Sequence, residues 1–197
     1  MISMKQYRSY KIPDPRVGFY GTGLNKVKVA EVRKLEELVE PVEKYLANLL
    51  EVKQIHLSLR YLGYHDEIND DNLKDAKERV LKIYSKYLPI TVNISNLSGS
   101  WKKHPEMERQ LLFADIKDKR LIQLHKELVK ATTVFPIFQD VEGVNFRPHI
   151  TLAELNKKHY KKTPKELEEY IKNTKINIDI TLKGAYIWDK RGLRQLI

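Results

Sequence analysis

Apolar side chains recur at spacings of three and four in three segments of the chain, which predicts three amphipathic helices. The apolar positions are Leu35, Leu38, Val39, Val42, Tyr45, Leu46 and Leu49 in the first segment; Leu73, Ala76, Val80, Leu81, Tyr84, Tyr87 and Leu88 in the second; and Leu121, Ile122, Leu124, Leu128 and Val129 in the third. Pro41 predicts a kink or a restart within the first helix, because proline lacks the backbone donor that a helix interior needs. Asp118 is placed to cap the third helix, and Thr163, Pro164 and Glu166 supply the N-cap, N1 and N3 residues of a fourth.

Other segments alternate between apolar and polar residues, which is the period of a strand with one buried face. Residues 89–95, "PITVNIS", alternate in this way, and residues 110–116, "QLLFADI", are a further predicted strand. The clearest example is residues 175–182, "KINIDITL", in which every second residue is isoleucine or leucine. The segment between the first two strands, residues 99–109, is predicted to be a loop.

Two further strand-like stretches carry polar residues at matching positions. Residues 54–63 read "QIHLSLRYLG" and residues 147–154 read "RPHITLAE", so that a histidine is followed two positions later by a hydroxyl residue in both. Residues i and i+2 of a strand face the same way, ~6.6 Å apart. Each stretch therefore predicts a strand that is apolar behind and carries one imidazole and one hydroxyl in front: His56 with Ser58, and His149 with Thr151.

The order of a motif strand, a helix and a strand occurs in both halves of the chain. This repetition predicts two α+β lobes with antiparallel-rich sheets. Because no linker rich in glycine, serine or proline separates the halves, residues 1–197 are interpreted as a single bilobal domain.

Composition narrows the classes of function. The chain has no cysteine, which excludes disulfides, thiolate nucleophiles and cysteine-ligated zinc. No run approaches the ~18 apolar residues of a membrane span, and the first fifteen residues lack the apolar stretch of a signal peptide, so a cytoplasmic location is expected. The net charge of +10 favours a polyanionic partner, with nucleic acid first.

Two imidazoles and two hydroxyls in one groove would suit a tetrahedral anion. One neutral imidazole can act as a base while the other, protonated, acts as an acid. The hydroxyls can donate hydrogen bonds to phosphate oxygens as charge redistributes in the transition state. The histidines show no metal-ligand spacing, so no metal or other cofactor is expected.

The stretches "HLSLRYLG" and "RPHITLA" resemble the twin His-x-Ser/Thr motifs of the 2H phosphoesterase superfamily, specifically the RNA 2′,3′-cyclic phosphodiesterases also known as 2′-5′ RNA ligases. The likeness covers most of the chain, from an early strand around "VGFYGTG" to a terminal strand region. It implies an α+β fold in which two pseudo-twofold-related lobes surround a central groove, with helices outside. It also implies metal-independent hydrolysis of a terminal 2′,3′-cyclic phosphate to a 2′-phosphate, with 2′-5′ ligation as the reverse or a side reaction.

The same resemblance implies roles for the four motif residues. His56 would protonate the departing 3′ oxygen, and His149 would activate water. Ser58 and Thr151 would hold the phosphate oxygens. The implied partner is RNA with a cyclic phosphate end or a cyclic nucleotide, and a monomer that does not engage a membrane is expected.

Other residues are weaker candidates for substrate binding. Many relatives carry a basic residue where this chain has Glu154, and Arg147, on the predicted face of His149, is a candidate substitute. Arg60 lies four residues after His56 and is a candidate to meet a phosphate, with a solvated arginine at the end of the strand as the alternative. Trp101 in "SWKKH" and the basic segment 157–162, "KKHYKK", fit base stacking and RNA backbone contact, with plain solvated loops as the alternative.

Two alternatives to the RNA phosphodiesterase remain open from the sequence. One is hydrolysis of a small cyclic nucleotide of the ADP-ribose cyclic phosphate type. The other is a non-catalytic RNA- or nucleotide-binding module, which matched imidazoles in both motifs argue against, because binding alone does not require an acid and a base.

Overall fold

The computed structural model describes residues 19–49, 55–64, 68–102, 109–138, 142, 146–189 and 192–197. The N-terminal segment interpreted as lacking a signal peptide, and residues 103–108 of the predicted loop, lie outside the described residues. Within the described ranges the chain forms four α-helices, α1 (Val29–Val39), α2 (Asp70–Tyr87), α3 (Lys119–Ala131) and α4 (Lys165–Asn173). Its strands are β1 (Phe19–Asn25), β2 (Leu46–Leu49), β3 (Leu57–Tyr64), β4 (Ile90–Gly99), β5 (Leu111–Ile116), β6 (His149–Leu155), β7 (Ile178–Leu182), β8 (Gly184–Asp189) and β9 (Gly192–Gln195).

These strands form two antiparallel sheets. The first sheet has the order β3-β1-β8-β9, and the second has the order β2-β6-β5-β4-β7. Strand β4 follows the first-half helix α2 but pairs with β5 and β7, whereas β8 follows β7 and returns to pair with β1. Each sheet therefore contains strands from both halves, and the predicted α+β class with antiparallel-rich sheets is confirmed.

The apolar backs of the two motif strands belong to one hydrophobic core. Leu57 and Leu59 of β3 and Ile150 and Leu152 of β6 are each at most 5% exposed and lie in the same cluster. Helices α1, α2, α3 and α4 contribute their buried stripes to it. Burial of this shared core leaves the opposite faces of both motif strands available for chemistry.

The first predicted helix is shorter than its apolar spacing indicated. Helix α1 ends at Val39, a 3-10 helix with Pro41 in its first turn follows over Glu40–Tyr45, and Leu46–Leu49 form strand β2. The prediction of helix through Leu49 is wrong, because β2 pairs with β6 and this pairing overrides the helical spacing of the leucines.

The other predicted elements are found, with one shifted helix start. Asp118 caps α3 by accepting a hydrogen bond from the backbone N–H of Arg120. Helix α4 begins at Lys165, with Pro164 at the N-cap and no side-chain cap. The predicted capping box at its start is therefore wrong, since Glu166 accepts hydrogen bonds from Lys44 and Tyr45 instead.

Candidate active site

The first motif lies at one edge of the first sheet, where its serine meets a tyrosine from β8. Ser58 and Tyr186 both pair with Gly23 of β1, and the Ser58 Oγ lies 3.2 Å from the Tyr186 hydroxyl. A Cβ at Gly23 would lie 2.0 Å from the Leu57 carbonyl oxygen and 2.8 Å from the Tyr186 hydroxyl. The glycine therefore allows the tyrosine to reach across β1. The face that carries Ser58 and Tyr186 is called the front of the first sheet below.

Aromatic rings surround His56, which directly precedes β3. The ring of Tyr186 lies 5.5 Å away at 80°, and the ring of Trp188 lies 5.7 Å away at 59°, both measured between ring centroids. The imidazole is half-buried in this setting. Neighbouring rings of this kind restrict its orientation.

Hydroxyl groups cluster beside this histidine. Burial raises the pKa of Tyr61 to about 12, opposed by a hydrogen bond with Ser58. Burial likewise raises the pKa of Tyr186. Both phenols therefore remain protonated at physiological pH, and the three hydroxyls form a neutral donor cluster.

The second motif begins strand β6. A carbonyl oxygen can only accept, so the 2.8 Å contact between the His149 Nδ1 and the Arg147 carbonyl requires the proton on Nδ1. In the neutral ring the lone pair is then on Nε2. Burial lowers the pKa of His149, opposed by the Arg147 carbonyl and the charge of Asp115. The Phe113 ring lies 4.3 Å from the imidazole.

The two motif strands have corresponding surroundings. Ser58 of β3 lies opposite Gly23 of β1, and Tyr186 of β8 lies opposite the same glycine on its other side. In the second sheet, Thr151 of β6 lies opposite Phe113 of β5, and Ser98 of β4 lies opposite that phenylalanine on its other side. Strands β3 and β6 are also in contact with each other between the sheets. The structure thus brings the two motif strands together, as their repeated pattern suggested.

A register shift follows the hydroxyl residue in both motif strands. In β3 the shift places Leu59 without a partner between Ser58 and Arg60, and in β6 it places Leu152 without a partner between Thr151 and Ala153. One extra residue reverses the alternation of faces beyond it. Counting every second residue from the histidine therefore gives the wrong face of the strand for residues after Ser58 and after Thr151.

Arg60 shows the consequence of this reversal. The guanidinium points to the back of the first sheet, where the residue is 1% exposed and the Nη1 lies 2.8 Å from the Glu142 carboxylate. The Nε donates to the Thr132 hydroxyl. Burial raises the pKa of Glu142, and the Arg60 charge opposes this. The prediction that Arg60 binds phosphate is wrong, because its donors serve a buried ion pair.

Trp101 is also part of the core. It is 7% exposed, and a Cβ at Gly99 would lie 2.3 Å from the indole. The prediction that Trp101 stacks on an RNA base is wrong, because the ring packs beneath β4. Arg147 is exposed, and contact of its guanidinium with phosphate stays a prediction.

Glu154 lies on the same face of β6 as Thr151 because of the register shift. Its carboxylate accepts hydrogen bonds from Arg109 at 2.7 Å, from the Tyr160 hydroxyl at 2.8 Å and from Asn48 at 3.4 Å. Burial acts to raise the pKa of Glu154, but the hydrogen bonds from Arg109 and Tyr160 outweigh it and lower the pKa overall. The carboxylate is thus paired internally.

Sequence reasoning missed Tyr61, Tyr186 and Trp188. Tyr186 and Trp188 reach the first motif through the pairing of β8 with β1, in which they oppose Gly23 and Gly21, more than 160 positions away in the sequence. The local signal was limited to the alternation in "GAYIWD", which indicates a strand but not its neighbour. Among the described residues, no group of three or more His, Cys, Asp or Glu side chains is arranged to hold a metal ion.

Comparison with known proteins agrees with these motifs. Residues 27–194 match the family model described as the 2′-5′ RNA ligase superfamily. The chain belongs to this superfamily. Membership confirms the 2H phosphoesterase resemblance and supports a phosphoesterase or ligase activity.

Solved structures share the fold of this superfamily member. LigT of E. coli, in complex with ATP, superposes with a TM-score of 0.54 at 12% identity, covering 91% of this chain and 93% of that one. TT0787 of Thermus thermophilus gives a TM-score of 0.55 at 15% identity, covering 90% and 93%. Usb1 of Kluyveromyces marxianus gives 0.54 at 10% identity, covering 91% and 97%. At these identities the likeness concerns the fold alone.

One curated protein also matches part of the sequence. It is the adenosylmethionine-8-amino-7-oxononanoate aminotransferase of Buchnera aphidicola, 28% identical over 116 residues. The match spans 57% of this chain but only a quarter of the aminotransferase, so it does not assign the chain to that class of enzyme. In the described part of the chain, every helix is too short or too polar to cross a membrane.

Proposed function

We propose that this protein hydrolyses the 2′,3′-cyclic phosphate at the end of an RNA and leaves a 2′-phosphate, with His56 and His149 facing one phosphate from opposite sides. The proposal rests on the contact between strands β3 and β6 and on the corresponding surroundings of their hydroxyl residues. Ligation would be the related step in which the 5′ hydroxyl of a second RNA, instead of water, attacks the cyclic phosphate. The bond from phosphorus to the 3′ oxygen would break and a 2′-5′ bond would form, with the same two histidines moving the protons.

In the proposed reaction, water attacks phosphorus and the bond from phosphorus to the 3′ oxygen breaks. His149 removes a proton from the water through its Nε2. His56 donates a proton to the departing 3′ oxygen, which becomes a free hydroxyl. The product is a 2′-phosphate. The enzyme has then gained one proton at His149 and lost one at His56, so only the two histidines need to transfer protons.

The observation that carries this assignment of base and acid is the hydrogen bond from His149 to the Arg147 carbonyl. It holds the proton on Nδ1 and leaves Nε2 as the basic atom. Burial lowers the pKa of His149, which keeps the ring neutral at physiological pH, as a base requires. The reaction also needs a general acid, and His56, the other histidine of the pair, is assigned this role.

Ser58 and Thr151 are proposed to donate hydrogen bonds to the non-bridging phosphate oxygens. The Ser58 hydroxyl lies within a cluster of neutral hydroxyls, so one of them can point its proton toward an anion while the others satisfy it from behind. Fixed donors of this kind stabilise charge that develops in the transition state.

RNA is proposed as the substrate because the chain carries a net charge of +10. LigT of E. coli, which shares the fold, has been crystallised with ATP, with 3′-AMP and with phosphate. These complexes support a nucleotide phosphate as the kind of group that the proposed site binds.

The test is the product formed from an RNA oligomer that ends in a 2′,3′-cyclic phosphate, with chelator present. We expect a 2′-phosphate, and we expect His56→Ala or His149→Ala to abolish nearly all turnover, with the double variant costing little more than either one. Ser58→Ala and Thr151→Ala should lower kcat about 10- to 1,000-fold. A 3′-phosphate product, a requirement for added divalent metal, or full activity of His149→Ala would contradict the proposal. Parallel assays with a nucleoside 2′,3′-cyclic monophosphate compare the two substrate classes.

A further inference from the structure

Trp188 is an exposed aromatic residue next to a proposed catalytic group. Its side chain belongs to the front of the first sheet, because Trp188 pairs with Gly21, two residues before the Gly23 that lies between Ser58 and Tyr186. The residue is 38% exposed, whereas Tyr186 on the same strand is 1% exposed. An indole that remains at the surface beside His56 is available to a ligand.

The surroundings of Trp188 favour a flat ligand. Gly21 separates it from Tyr61 of β3 across β1, so no third side chain stands between these two aromatic residues on that face. The Trp188 ring is tilted by 59° to the His56 ring and is not stacked on it. The His56 ring therefore does not cover a flat face of the Trp188 indole.

The substrate places a flat ring near this surface. In a nucleoside 2′,3′-cyclic phosphate, the two bridging oxygens and the base belong to the same ribose. A phosphate held at His56 therefore keeps its base within the span of one sugar, and the Trp188 centroid lies 5.7 Å from the His56 centroid. Stacking of bases on aromatic side chains is a general mode of single-strand recognition.

We propose that Trp188 stacks on the base of the terminal nucleotide and contributes to binding rather than to the chemical step. This deepens the proposed function and rests on it, since the base is located through the phosphate at His56. Every base offers a π-face, so the contact should tolerate all four bases. The other reading of the geometry is that Trp188 only orients or shields His56.

Kinetics of Trp188→Ala separate these two readings. With an RNA cyclic phosphate we expect KM to rise about 10- to 100-fold while kcat stays within a few-fold, and we expect Trp188→Phe to retain most of the affinity. Ribose 2′,3′-cyclic phosphate, which has no base, should show the same KM with wild type and both variants. Val134→Ala, at another exposed apolar residue, is the matched control and should change neither constant. A fall in kcat with both substrates would overturn the proposal.

Fluorescence provides a readout that does not depend on turnover. Trp188 and the buried Trp101 are the two tryptophans of the chain, so Trp101→Phe leaves the Trp188 emission alone. Adenosine 2′-monophosphate should quench that emission on binding, while ribose 2-phosphate should bind without quenching. If Trp101→Phe does not fold, the difference in quenching between wild type and Trp188→Phe reports the same contact. Binding of both ligands without quenching would refute stacking alone, and binding of neither would refute the proposed function as well.

Discussion

Replacement of Arg60 by methionine distinguishes a structural arginine from a substrate ligand. The side chains of Arg60 and Glu142 are 0% and 1% exposed, and their ion pair is 2.8 Å long. Methionine has a similar length and no charge, so Arg60→Met leaves the Glu142 carboxylate buried without its cationic partner. We expect the variant to be less stable but to bind substrate normally.

The magnitude follows from what the carboxylate loses and keeps. Breaking a buried pair by removing one partner costs about 3–5 kcal/mol of unfolding free energy. Glu142 would still accept hydrogen bonds from the backbone N–H groups of Tyr61 and Phe138, each at 2.9 Å. Without the guanidinium, which opposes the effect of burial, the pKa of Glu142 should rise further.

A second substitution isolates the charge. Arg60→Met combined with Glu142→Gln contains no buried charge, so it should recover part of the lost stability. It should not recover all of it, because the N–H groups of Tyr61 and Phe138 donate to different oxygens of the Glu142 carboxylate, and in glutamine one of these positions is an NH2 group. The N–H that faces this group loses its acceptor, and an unsatisfied N–H costs about 1–3 kcal/mol. Arg147→Met, at an exposed arginine, is the control and should change stability by no more than about 0.5 kcal/mol.

The assay is urea denaturation of the four proteins, with KM measured at a temperature at which each remains folded. The structural role predicts a lower unfolding free energy for Arg60→Met and an unchanged KM. Wild-type stability together with a raised KM would show that Arg60 binds the substrate and does not stabilise the fold.

Three further predictions concern two histidines and the net charge of the chain. Burial lowers the pKa of His149, and a general base must be deprotonated to act. As the pH is raised from the acid side, kcat/KM should therefore increase with a midpoint below the ordinary histidine pKa of about 6.5. A midpoint above this value would contradict the role of His149 as the base. Burial lowers the pKa of His125 to about 4, so as the pH falls the unfolded chain binds a proton at this residue before the folded protein does. Up to about 3 kcal/mol of stability should therefore be lost between pH 6.5 and pH 4. His125→Phe should weaken this pH dependence in denaturation experiments, and an unaltered dependence would show that other groups cause it. RNA affinity should fall steeply with salt, because lysine and arginine contacts release counterions, and a flat dependence in a filter-binding titration would point to a small-molecule substrate.

Local patterns were sufficient for most elements. The spacing of apolar residues predicted α2 and α3, and alternation predicted β4 and β7, because each of these segments buries one face and that burial sets the period of its apolar residues. Leu46 and Leu49 fit a helical stripe equally well but lie in β2. Their state is decided by pairing with β6, which no local period contains.

At the site too, residues within one short motif could be predicted, whereas contacts that depend on strand pairing could not. The paired His-x-Ser/Thr motifs were visible because each occupies three consecutive residues. The register shifts at Leu59 and Leu152 depend on the partner strands, so the faces of Arg60 and Glu154 could not be read from alternation. Tyr186 was missed for a related reason, since its contact with Ser58 crosses β1 between distant parts of the chain.

A crystal structure with adenosine 2′-monophosphate would show whether His56 and His149 face one phosphate. We expect the phosphate between the two imidazoles, within hydrogen-bond distance of both rings and of the hydroxyls of Ser58 and Thr151. Two imidazoles on opposite surfaces, or a phosphate bound by neither histidine, would rule out the proposed acid–base pair.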